Sequence, residues 1–249
     1  MSLIRAMQTD KSPSAIEHAL TQDILRGRYA VGSRLPTVRE LAETHGVNPA
    51  TIQRVVSRLE TRGLVTARQG SGLRVNDPAE SGDISLIPFW LEATLDQPAQ
   101  AVSILADFLE VRRVIAVRLM VRHREALLAQ TAQLQGAAAR MVAASHEGVS
   151  ALRDADMAFA RAMLQATGNV VALSVLNTMA RVLEELPVVA QAMYAEPAAS
   201  TASMARVLQA LRDGGEGAGA TIEHALADVD ALTLARFEAL LRAREGVSA

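Results

Sequence analysis

Residues 34–75, RLPTVRELAETHGVNPATIQRVVSRLETRGLVTARQGSGLRV, decide how the rest of the chain is read. Thr37-Val38-Arg39-Glu40 is a capping-box pattern, in which Thr37 accepts from an unpaired backbone N–H and Glu40 reaches back to the cap. The helix it opens ends near His45, because Gly46 tolerates the left-handed backbone a helix stop requires. Asn48 caps a second helix, and Pro49 occupies its first position, where a missing N–H costs nothing. In that helix Ile52, Val55, Val56 and Leu59 share one face at i, i+3, i+4, i+7. The opposite face presents Thr51, Gln53, Arg54, Ser57 and Arg58, and Gly63 closes the helix. Leu64–Ala67 and Leu73–Val75 are short apolar runs around Arg68-Gln69-Gly70-Ser71-Gly72, which signals a hairpin.

Two short helices joined by a tight Gly-containing turn form a helix-turn-helix, and the basic hairpin makes it winged. The polar face carries what DNA reading needs. Arg54 and Arg58 can meet phosphate or guanine edges, Gln53 can pair bidentately with adenine, and Thr51 can do either. The expected DNA-contacting set is Arg34, Arg39, Asn48, Thr51, Gln53, Arg54, Arg58, Gln69, Gly70 and Ser71.

This stretch resembles the DNA-binding domain of the GntR family of bacterial transcription regulators. The matching residues are Leu35-Pro36, Arg39-Glu40-Leu41-Ala42, Gly46-Val47, Leu59-Glu60 and Gly63. The resemblance implies that Arg39 and Gly70 contact DNA. Where the FadR branch has arginines after its Gly-Val-X turn, this chain has Pro49 and Gln53, so Gln53 and Arg54 are expected to read a different site.

Composition agrees with that division of labour. Half of the 249 residues are hydrophobic, enough for real cores. The net charge of −2 conceals an asymmetry: residues 1–75 hold 11 Lys and Arg against 6 Asp and Glu, while the remainder is acidic. A basic head on an acidic body is the distribution expected if only the head meets a polyanion. The chain contains no cysteine, which excludes disulfides and thiolate metal sites and fits a reducing cytoplasm. No stretch approaches 18 uninterrupted apolar residues and no leader pattern opens the chain, so neither membrane nor secretion is expected.

Before the quoted stretch, Ser12-Pro13 opens a helix whose Ile16, Leu20 and Ile24 should complete a three-helix core. After it, residues 76–83 are rich in turn formers. The expected organisation is a winged helix-turn-helix over 1–76, a linker over 77–83 and an α-helical effector-binding and dimerisation domain over 84–249. Helical periodicity predicts about seven helices there, near 84–95, 98–123, 125–145, 148–167, 169–194, 197–213 and 219–244. Gly136 and Pro187 each fall inside one of them, where they can kink or split it. The fold class is therefore mainly α.

Two polar residues fall on stripes that should face the bundle core. Arg112 lies seven residues after Leu105, and Asp156 four after Leu152. Burying a guanidinium alone is prohibitive, so Arg112 needs a partner. It can pair with Asp156 or another carboxylate as internal structure. Alternatively it lines a cavity and holds the acidic end of a ligand.

The body also resembles the FadR-type effector domain, through Asp156-Met157-Ala158-Phe159-Ala160, Ala166-Thr167-Gly168-Asn169, Glu110-Val111-Arg112 and Leu176-Asn177-Thr178-Met179. That resemblance implies a homodimer on a double-stranded DNA operator, regulated by an organic acid or acyl-CoA-like effector. Arg112, Asp156, Asn177 and Tyr194 are the candidate effector contacts. Many members hold a divalent metal through that Asp and three His. Here Ala160 and Ser203-Met204-Ala205 stand where two of those His are expected, so no metal or other cofactor is expected. A metal-dependent regulator of carboxylate metabolism is the alternative within the class. No Gly-rich phosphate loop, GxSxG or nucleophile–base pairing points to an enzyme, and a small-molecule carrier or enzyme with a docking head is the reading from another class.

Overall fold

The computed structural model describes residues 11–68 and 72–248, and the chain divides into two compact units at Ala93/Thr94. The fold is mainly α, with a single small sheet among the described residues.

In the N-terminal unit, α1 (Pro13–Leu25) starts at Ser12, whose hydroxyl accepts from the Ala15 N–H. The capping box of α2 (Val38–His45) is complete: the Glu40 N–H donates to the Thr37 hydroxyl, and the Glu40 carboxylate accepts from the Thr37 N–H at 2.7 Å. Those bonds from Thr37, backbone first, hold the Glu40 carboxyl below its ordinary pKa. Gly46 ends α2 at φ 62°. α3 (Pro49–Thr61) begins at Asn48, whose Oδ1 accepts from the Thr51 N–H at 2.8 Å. Ile52, Val55 and Leu59 of α3 are fully buried in one core with Ile16, Leu20, Ile24, Leu41 and Leu64.

The wing pairs β1 (Val65–Arg68) antiparallel with β2 (Gly72–Val75), with Val65 opposite Val75 and Ala67 opposite Leu73. Residues 33–35 run along the far side of β2, the Leu35 N–H donating to the Leu73 carbonyl at 3.0 Å. The hairpin tip, with Gln69, Gly70 and Ser71, lies outside the described residues.

The expected boundary shifts here. Residues 77–83, anticipated as a bare linker, contain α4 (Pro78–Ser81), and the Ser81 hydroxyl donates to the Gly63 carbonyl at 2.8 Å. The segment expected to open the second domain, residues 84–95, instead forms a 3-10 turn (Ile84–Leu86) and α5 (Ile87–Ala93) within the N-terminal unit. The reason is packing. Leu86 is buried in the head core, Gln22 of α1 donates to Glu92 at 2.8 Å, and the Arg62 guanidinium sits 4.5 Å over the Phe89 ring.

The second unit is all helix: α6 (Pro98–Arg122), α7 (Arg124–Ala129), α8 (Thr131–Ala144), α9 (Val149–Thr167), α10 (Val170–Glu185), α11 (Pro187–Met193), α12 (Pro197–Asp213) and α13 (Ala218–Ser248). After residue 97 eight helices stand where six were expected, for two reasons. Pro187 does split its helix, with Leu186 at φ −121°, ψ 80°, outside the helical range that a following proline disfavours. Gly136 stays inside α8, and the break falls instead at Gln130. α13 packs along α6, α11 and α12 and forms the spine of the unit.

Gly63 is the tightest backbone position in the head. At φ 75°, an added Cβ would lie 2.0 Å from the Ser81 carbonyl oxygen. We predict that Gly63→Ala lowers stability by about 2–4 kcal/mol, from left-handed backbone strain and displaced α4 together. Chemical denaturation of both proteins measures it, and a loss under about 0.5 kcal/mol would contradict this docking.

Candidate DNA-contacting face and bundle cavity

The rotation of α3 is fixed by its buried stripe, and the stripe decides which side chains reach outward. Gln53 and Arg54 are exposed, and neither side chain has a hydrogen-bonding partner among the described residues. Arg34 is exposed beside the wing, opposite Arg74. Arg39 is 88% exposed and makes only a 3.2 Å contact to Glu43 one turn on. These four present an exposed cationic and amide surface around the turn and helix.

Three other expected contacts serve the fold. Thr51 is buried rather than exposed, because 51, 55 and 59 lie on one helical line, and its hydroxyl donates to Asn48 Oδ1 at 3.0 Å. Asn48 itself is exposed but spends that oxygen on capping. Arg58 is half-exposed, yet its Nη1 donates to Glu17 Oε2 at 3.0 Å. Arg62 reaches the other oxygen of the same carboxylate at 3.0 Å, and the Glu17 side chain is only 8% exposed. Glu17 therefore clamps α3 to α1 through two guanidiniums. Its place beside Ile16 and Leu20 was the available signal.

In the second unit a cavity of about 150 Å³ opens between α6, α8, α9, α10, α11, α12 and α13. Ile115, Met120, Met141, Phe159, Met163, Leu176, Met193 and Met204 supply an apolar wall, and Arg112, Asp156, Tyr194, Ser200, Ser203 and Asp230 supply the polar groups. The two alternatives for Arg112 coexist. Its Nη2 donates to Asp230 Oδ1 at 2.7 Å, so it has a structural partner, while its Nε is buried with no partner. Arg113 reaches the second oxygen of Asp230. Asp230 was missed in the sequence, although it falls four residues after Leu226 and seven before Phe237 on a core-facing line.

Asp156 does not pair with Arg112. It accepts from the buried Tyr194 hydroxyl at 2.8 Å. Burial pushes the Asp156 carboxyl above its ordinary range, opposed by the Tyr194 hydrogen bond and the Arg112 charge. Burial first, and then the Asp156 charge, push the Tyr194 hydroxyl well up, so it stays a donor. Two guanidiniums thus share one carboxylate, Asp230, at the edge of a largely apolar space. That leaves attraction for one more anion. Asn177, also expected here, is exposed on α10 and does not line the cavity.

A divalent metal does not fit these residues. Asp156 is engaged by Tyr194, Ala160 stands one turn on, and the exposed His224 has its Nδ1 2.7 Å from the Ala220 carbonyl. No group of three or more His, Cys, Asp or Glu that could hold a metal gathers among the described residues.

Comparison with known proteins bears on the head most directly. The family described as "Bacterial regulatory proteins, gntR family" matches residues 13–75. Residues 13–75 are a GntR-family helix-turn-helix domain. The chain is 30% identical over 162 residues to an uncharacterized HTH-type transcriptional regulator of Mycobacterium tuberculosis, covering 62% of this chain and 61% of that protein. It is 35% identical over 107 residues to the fatty acid metabolism regulator protein of Vibrio cholerae serotype O1, covering 43% of this chain and 37% of that protein. The chain thus spans less than two thirds of the length of either relative. A solved structure described as "Lar controls the expression of the Listeria monocytogenes agr system and mediates virulence" has a TM-score of 0.53 at 15% identity, covering 89% of this chain and 95% of that one. That likeness shows a shared fold.

The raised Asp156 pKa gives a signed prediction. The folded chain holds this proton more tightly than the unfolded chain, so stability falls as pH rises from the ordinary aspartate range through the raised value. Asp156→Asn has no such proton, so the stability of the wild type relative to the variant should decline over a titration from acid to neutral pH. Denaturation midpoints for both proteins across that range provide the check, and parallel curves would contradict it.

Proposed function

We propose that the chain is a DNA-binding transcription regulator whose operator affinity is set by a small organic anion held in the second unit. The observation that carries the reading is the outward pair Gln53 and Arg54 on α3, the second helix of the helix-turn-helix in a GntR-family domain. Both are exposed, and neither side chain has an internal hydrogen-bonding partner among the described residues. Arg39 and Arg34 add phosphate contacts beside that pair. The protein works as a homodimer, which places two such helices on the two halves of a palindromic operator. It acts as a repressor in the cytoplasm. No helix among the described residues is long and apolar enough to cross a membrane, which agrees with that placement.

The ligand is an apolar body with one anionic group. Its charge meets the buried Nε of Arg112, with Tyr194 and Asp156 beside it and the methionine-rich wall around the rest. A cavity of this order takes a body about the size of benzene, so the bulk of an acyl-CoA would lie outside it. A relative named for fatty acid metabolism fits that chemistry, with a short free carboxylic acid as the preferred form. Ligand binding favours the head arrangement with weaker DNA affinity, through its differential affinity for the two states.

One titration tests both halves. Fluorescence anisotropy of a duplex selected from a random pool should show tight binding by the wild type. Gln53→Ala and Arg54→Ala should each weaken it by about 1–3 kcal/mol. A short-chain monocarboxylate should then release the wild type, and should not release Arg112→Ala. Equal duplex affinity for wild type, Gln53→Ala and Arg54→Ala would overturn the recognition assignment. Release of Arg112→Ala at wild-type ligand concentration would overturn the ligand assignment.

A further inference from the structure

Arg34 and Arg74 stand directly opposite each other where residues 33–35 run along β2. The Leu35 N–H donates to the Leu73 carbonyl and the Val75 N–H to the Ser33 carbonyl, each at 3.0 Å. Those flanking bonds make 34 and 74 a pair without hydrogen bonds between their own backbones, the closer of the two antiparallel pairings. Their Cβ atoms then lie about 4.5–5.5 Å apart. Leu35, Leu73 and Val75 are buried, so alternation along the strands turns both arginines to the outer face, where they are exposed.

Like charges placed opposite one another destabilise a sheet. Here nothing offsets them: neither guanidinium has an ion pair or a hydrogen-bonding partner among the described residues. Thr66, on the other flank of Arg74, carries no charge and donates its hydroxyl to Asn76 at 2.9 Å. A neutral β-forming residue at 74 would avoid the repulsion altogether. Two guanidiniums at this spacing can instead close on one oxyanion from two sides, which turns the repulsion into shared attraction.

We propose that Arg34 and Arg74 form a clamp for one phosphate of the DNA backbone, with Arg74 a contact beyond those on the turn and α3. The clamp rests on the DNA-binding reading above and adds a residue to it. Arg74 stands outside the contacts expected from the sequence, because only pairing across the wing brings it beside Arg34. Phosphates are alike at every base pair, so the clamp contributes affinity and register rather than base selection. The same charge that weakens the free head strengthens the complex. Removing it should therefore move stability and binding in opposite directions, a result that a merely structural arginine would not give.

Two measurements on Arg74→Gln and Arg74→Lys forms of the full chain test the clamp. The single tryptophan, Trp90, packs against the head core, so its fluorescence follows unfolding of the head in urea. At low salt Arg74→Gln should raise the urea midpoint and Arg74→Lys should leave it near the wild-type value. The gain should vanish in about 1 M salt, where charges are screened within about 3 Å. In fluorescence anisotropy with a duplex selected from a random pool, Arg74→Gln should bind about three- to tenfold more weakly than the wild type. A scrambled duplex should lose the same factor, and the slope of log affinity against log salt should flatten by about 0.9, with Arg74→Lys keeping most of it. An Arg74→Gln midpoint that falls or does not move, an unchanged salt slope, or a loss confined to the selected duplex would overturn the clamp. A wild type that binds no duplex would overturn the DNA-binding reading and the clamp with it. Weaker binding by Gln53→Ala with none by Arg74→Gln would overturn the clamp alone.

Discussion

The whole account turns on how α3 is rotated. Ile52, Val55 and Leu59 are fully removed from solvent, and that burial holds the helix in one orientation about its axis. Everything on the opposite side is thereby committed to water or to a partner, which is why Gln53 and Arg54 are available. The Asn48 cap and the Gly46 stop set where the helix begins, and the Gly63 turn docks the following chain against it. Glu17 adds a second constraint by drawing Arg58 and Arg62 toward α1. A slip of one residue along α3 would break the stripe, the cap and this clamp at once.

The second unit solves a different problem. An apolar bundle with guanidiniums on its inner helices must neutralise them or leave them near solvent. Asp230 takes both Arg112 and Arg113, yet one carboxylate cannot balance two cations, and the Arg112 Nε remains unmet. Asp156 does not make up the difference, because burial favours its protonated form and Tyr194 occupies it. The residual positive charge sits beside a soft wall of methionines, which adapts to ligand shape. The anionic ligand with an apolar body proposed above would answer both features.

Much of the head could be read from residue order alone. Caps, stops and the i, i+3, i+4, i+7 stripe are local signals, and each local signal agreed with the packed result. Thr51 departs from the outward face its polarity suggests, because its line through Val55 and Leu59 runs inward. Arg58 is exposed as its helix face predicts, but its ion pair with Glu17, 41 residues away, lies beyond any local pattern. The same holds for Asp230, 118 residues from Arg112. The boundary at Ala93 was hidden because 84–93 has helical periodicity either way, and only packing of Leu86 and Phe89 on the head assigns it. Proline marked the split before Pro187, whereas the break at Gln130 has no glycine or proline to announce it.

Arginine-specific chemical labelling, with and without a bound duplex, tests the central claim most directly. The account predicts that Arg54 reacts readily in the free chain and is strongly protected by DNA. Arg62, held by Glu17 and Phe89, should react slowly in both states. An Arg54 that is unreactive in the free chain, or equally reactive with the duplex bound, would contradict an outward recognition face on α3.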